Sequence, residues 1–165
     1  MLHRQTQDAY SWALKLVDSI PVEKWEEYPS GVETTVNWQI GHLIMSYYFH
    51  AVMCLAGHKK EVFAVVPLKE YDAYFNRGNP LASIGKINSE NLNDQLRYVQ
   101  DLSLSVIGEL QDSDLSKPLE PTKFPNPVAK TKFEAIDWNI KHSMWHCGQL
   151  GLLKRAIDKR YDFWS

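Results

Sequence analysis

At 165 residues, 44% hydrophobic and 23% charged, the chain has the size and composition of one globular domain, residues 1–165, able to bury a core. A net charge of −2, with Lys and Arg scattered, argues against nucleic acid or an anionic membrane as an electrostatically held partner. Two cysteines, Cys54 and Cys147, are too few for a disulfide framework, and the N-terminal MLHRQTQDAY lacks the apolar run of a signal peptide, so the expected compartment is the cytoplasm.

The spacing of Tyr10, Ala13, Leu14, Val17 and Ile20 predicts a first helix over Leu2–Ile20, closed by Pro21. Thr34 or Thr35 can cap a second helix, about Val36–Gly57, apolar nearly all round and therefore buried on most sides. That stretch raises a transmembrane question, but its His42, His50, Ser46 and tyrosines point to a core helix. Glu61–Ile87 reads as a long connection with a helical turn around Lys69–Phe75. Its length can return the chain to the other end of a bundle, leaving the second and third helices parallel. Asn88 or Ser89 caps a third helix to about Gln111, with a seam of Leu92, Leu96, Val99, Leu102, Val106 and Leu110. After a proline-rich loop, Thr131 and Glu134 form a capping box that opens a fourth helix ending near Asp158. The aromatic tail RYDFWS packs back or meets a partner. Four long helices without a hairpin signal make an all-α four-helix bundle.

The fourth helix carries His142 and His146, four residues apart. That spacing turns a side chain by only about 40° and lifts it about 6 Å, so both imidazoles leave one face. They share a stripe with Ala135, Trp138, Gln149 and Leu153, which is the core-facing side. On the second helix, Trp38, His42, Met45 and Phe49 form a similar stripe. If these helices are neighbours, three inward imidazoles converge, enough to ligate one first-row metal ion. Against this stands a blander reading, in which each histidine is a core residue hydrogen-bonded to its surroundings. His50 lies about 80° round and about 12 Å along from His42, which suits a core or supporting role. His3 and His58 sit at element ends and read as solvated, and Cys54 and Cys147 as small buried hydrophobes. Ser143 stands where a zincin helix would carry its glutamate, and no carboxylate shares the stripe, so no protein base is evident.

The pattern W-x-x-G-H-L (Trp38, Gly41, His42, Leu43), followed by H-x-x-x-H-x-G-Q (His142, His146, Gly148, Gln149), resembles the DinB superfamily, which includes the YfiT-like thiol transferases. The resemblance implies an up-down-down-up bundle with a long crossover between helices 2 and 3, and a divalent metal held by His42, His142 and His146. For Gly148 a close helix approach is expected, and for Gln149 either an amide that orients a ligand imidazole or one satisfied by backbone. Three imidazoles suit Zn, Ni, Fe, Co or Mn alike. The implied function is transfer between a low-molecular-weight thiol and an electrophile, with Trp38, Trp138 and Trp145 as core or pocket aromatics. The alternatives are a metal-dependent hydrolase of a small molecule and a non-catalytic metal-binding bundle. A homodimer is expected by analogy, and neither nucleic acid nor membrane as a partner.

Overall fold

The computed structural model describes residues 1–76 and 78–163, so Arg77, Trp164 and Ser165 lie outside it. All regular structure among the described residues is helical; the one β-like pairing is an isolated bridge between Pro118 and Thr131. Four long helices account for most of it: α1, Leu2–Asp18; α2, which begins as Val36–Tyr48; α3, Ser89–Glu109; and α4, Lys132–Ile157.

Local chemistry explains the boundaries. The Thr35 side chain accepts from the Trp38 amide at 3.0 Å and starts α2. Asn88 does the same for Asn91 at the head of α3. Thr131 accepts from the Glu134 amide while Glu134 reaches back to the Thr131 amide, closing the capping box that opens α4.

α2 departs from the expected regular helix. Phe49–Met53 is a π turn, after which Cys54–Ala56 completes the element and Gly57, at φ 77°, ends it. The extra residue in the turn brings His50, Ala51 and Val52 into the interior in succession.

Connection 60–87 is built from short turns, Lys60–Ala64, Leu68–Tyr71, Asp72–Asn76 and Pro80–Ser83. Val62, Val66, Tyr71 and Phe75 are buried and pin it to the bundle.

α1 packs on α4 and α3, and α2 packs on α3 and α4. Asn139 donates to the Tyr10 hydroxyl and Lys154 to the Ser19 carbonyl, so α1 and α4 run in the same direction. Asp18 pairs with Arg97 and His3 lies beside Gly108, so α3 opposes α1. Lys132 donates to the Leu55 carbonyl at one end of α2, while His146 meets Gln39 near the other, so α2 opposes α4. Lys132 and Lys154, both buried, thus fasten α4 at its two ends. Tyr161 and Phe163 fold back onto Trp12, with ring centroids 6.4 and 6.0 Å away. Among the described residues no helix is long and apolar enough to cross a membrane.

Candidate metal centre

Antiparallel packing of α2 on α4 brings His42, His142 and His146 together. Ring centroids are 5.3 Å apart for His42–His142, 4.9 Å for His42–His146 and 4.5 Å for His142–His146. Nitrogens that could ligate a metal, one from each ring, all lie within 4.8 Å of one another. Trp38 stacks on His42 and Trp138 on His142, at interplanar angles of 9° and 14°. Both tryptophans lie where the stripes place them; Trp145, expected as a core or pocket aromatic, is instead 63% exposed on the outer side of α4.

Each ring is held by its Nδ1. His42 donates to the Phe75 carbonyl at 2.8 Å. His146 donates to Gln39 Oε1, and Gln39 uses its amide nitrogen to donate to the Thr34 hydroxyl at 3.0 Å. His142 Nδ1 pairs with the Ser46 hydroxyl at 2.9 Å. With Nδ1–H donating, Nε2 of His42 and of His146 carries a lone pair. The Ser46 hydroxyl can donate or accept, so the tautomer of His142 is open.

That choice tests whether the site suits a cation. Nε2 of His142 and Nε2 of His146 lie 3.0 Å apart. If His142 is protonated on Nδ1, two lone pairs face each other at this distance inside the protein, and a cation between them satisfies both. If it is protonated on Nε2, a hydrogen bond joins the rings and no metal is called for. The rings are neutral in either case. Burial holds His42 below the ordinary imidazole value, His142 at about 4 and His146 at about 3, with repulsion between the neighbouring histidines adding to the effect for the latter two. Neutral imidazole is the ligating form. The donor set therefore fits a divalent ion, and the cluster contains no carboxylate.

A cleft of about 260 Å³ reaches the cluster between α2, α4 and loop 121–130. His42 and His142 form part of its wall with Met45, Phe49, Trp138 and Val128, whereas His146 lies behind them, 5% exposed.

At the family signature the expectation for Gly148 needs correction, and of the two alternatives for Gln149 the imidazole-orienting one is not met. Gly148 does not permit a close helix approach: a Cβ there would meet nothing within 4 Å, because the residue faces a groove on the outside of the bundle. Close approach occurs instead at Gly41, where a Cβ would stand 2.3 Å from the Phe75 ring. Gln149 bonds to none of the three imidazoles; that role falls to Gln39, Ser46 and the Phe75 carbonyl. Gln39 and Ser46 lie three residues before and four after His42, on its own face of a mostly apolar helix, and that was the available signal. The remaining histidines behave as expected, His50 buried and outside the cluster, His3 and His58 exposed. Cys54 and Cys147 are buried free thiols.

Comparison with curated proteins finds no relative that matches the chain. A family model does match: that of the DinB superfamily, over residues 5–150. The match takes in most of α1, all of α2 and α3 and most of α4, including all three clustered histidines, and the chain belongs to the DinB superfamily.

Proposed function

We propose that His42, His142 and His146 hold one divalent metal ion, and that the protein transfers a low-molecular-weight thiol to an electrophile in the adjoining cleft. The observation that carries this reading is the convergence of three imidazoles whose Nδ1 atoms are already engaged, beside an open cleft. A bound ion would supply Lewis acidity, lowering the pKa of a coordinated sulfur or oxygen. Gln39, Ser46 and Phe75 hold the ligand rings in place, as supporting hydrogen bonds do at metal sites. Met45, Phe49, Val128 and Trp138 supply an apolar wall that limits water around the reacting groups. Hydrolysis of a small molecule is the alternative, and it would need a base from outside the cluster.

Metal analysis of the purified protein tests the site. The parent is expected to carry about one equivalent of a divalent metal, and His42→Ala and His142→Ala almost none. Equal metal in parent and variants would overturn the assignment and leave the hydrogen-bonded, metal-free arrangement of His142 and His146. Thiol consumption with an electrophile, against product release with a hydrolysable ester, then separates transfer from hydrolysis.

A homodimer belongs to the same proposal. Met144, Trp145 and Leu152 stand 46%, 63% and 52% exposed on α4, an apolar strip of the kind that marks contact surfaces. Sedimentation should show a dimer for the parent and a monomer for Trp145→Asp; a monomeric parent would remove this element.

A further inference from the structure

His50 lies outside the three-histidine cluster, yet it lines the same cleft. Its protonation state follows from a neighbour. Asn126, between two prolines of loop 121–130, accepts from the Val128 and Ala129 amides through Oδ1, at 2.9 and 3.0 Å. Backbone amides can only donate, so they decide which end of the side chain is oxygen. Nδ2 is therefore the atom 3.1 Å from His50 Nδ1, and an amide nitrogen can only donate. His50 Nδ1 must offer its lone pair. In the neutral ring the proton then sits on Nε2. Phe49, edge-on at 5.0 Å, holds the ring plane. Among the described residues Nε2 has no hydrogen-bond partner, and it is not sealed from solvent. Its N–H is offered to the cleft.

We propose that His50 is a substrate-binding residue whose Nε2–H receives an oxygen acceptor, a carboxylate or carbonyl, of the molecule that enters the cleft. At that N–H an ammonium finds no acceptor. The inference deepens the proposed function by naming a chemical class for the substrate, and it rests on that reading only for the reaction that follows binding.

The test uses metal-free protein, with acetate and acetamide as the carboxylate and carbonyl probes. Nitrogen-15 NMR of histidine-labelled protein should show His50 as the Nε2–H tautomer at neutral pH. One or both probes should shift its Nε2–H resonance saturably, and which one does so separates carboxylate from carbonyl. His50→Phe keeps the ring's shape and should weaken binding, followed by Trp138 fluorescence, about tenfold or more. His50→Gln, which retains an N–H donor, should recover part of it. A proton found on Nδ1, or His50→Phe binding as well as the parent, would overturn the inference. Metal content of the parent as purified, before the metal is removed for these measurements, separates the two readings. A parent purified without metal whose His50 responds sinks the metal site alone, and a parent purified with metal whose stripped form shows no response at His50 sinks this inference alone.

Discussion

Gly41 shows how one missing methyl group can set a site. A Cβ there would meet three carbons of the Phe75 ring at 2.3–2.4 Å, too close to accommodate without moving the ring. Phe75 is fully buried, and its carbonyl is the acceptor that orients His42. Gly41→Ala should therefore do two things. Overpacking should cost about 1–3 kcal/mol in denaturant unfolding of metal-free protein. Displacing the carbonyl should lower metal affinity about tenfold in a competition titration. A stable variant of unchanged affinity would show that the Phe75 carbonyl is not needed to hold the ring. Gln39→Leu removes the acceptor from His146 without crowding and should weaken metal binding by about 10- to 100-fold. Gly41 stood out only as a member of the W-x-x-G-H-L pattern, without a role, and Gln39 not at all, because a helical wheel tells which face a side chain leaves by, not what sits above it. Gly148 was misread for the same reason, and Trp145, expected as a core or pocket aromatic, faces outward.

At the scale of elements, the caps were legible and the π turn was not. Thr35, Asn88 and the Thr131–Glu134 box are short-range patterns whose hydrogen bonds close within three residues, so sequence spacing suffices to place them. Thr131→Ala should destabilise the protein by about 1 kcal/mol and lower Tm by about 2–4 °C; an unchanged melt would mean that the packed first turn of α4 does not need the cap. The π turn at Phe49–Met53 escapes such reading for a definite reason. α2 is apolar on most sides, so slipping its phase by one residue leaves the pattern of apolar positions almost unchanged. Tertiary contacts decide the phase, and the π turn brings His50 to the cleft wall.

The whole molecule responds to pH through its buried imidazoles. Burial holds His50 and His142 at about 4 and His146 at about 3, against an ordinary value of 6.5, with His42 also lowered. The sign follows from proton counting. A histidine whose pKa is lower when folded binds fewer protons in the folded state, so acid favours unfolding. The stabilising effect of the neutral rings is complete above about pH 6.5 and is lost as pH falls through the window towards 4 and 3. Metal-free protein should melt at a nearly constant temperature above neutrality and at progressively lower temperature below about pH 6.5. A flat profile down to pH 4 would mean that these rings are already solvated. The bundle itself was legible because four amphipathic or buried helices with capped starts leave few ways to bury their apolar faces. The cleft was not, since it is the space left between α2, α4 and a proline-rich loop that has no periodicity to read.

The hydrogen bond from His42 to the Phe75 carbonyl has a consequence for the connection that supplies it. Residues 60–87 and the three-histidine cluster are thermodynamically linked through one peptide group. If an ion at the cluster favours the seated carbonyl, the ion must also damp the opening of the connection, by the same free energy. Amide hydrogen exchange between Val62 and Phe75 should therefore slow when metal is added to the parent, and less so in Gly41→Ala. In that sense the crossover would act as a gauge of whether the histidines are loaded.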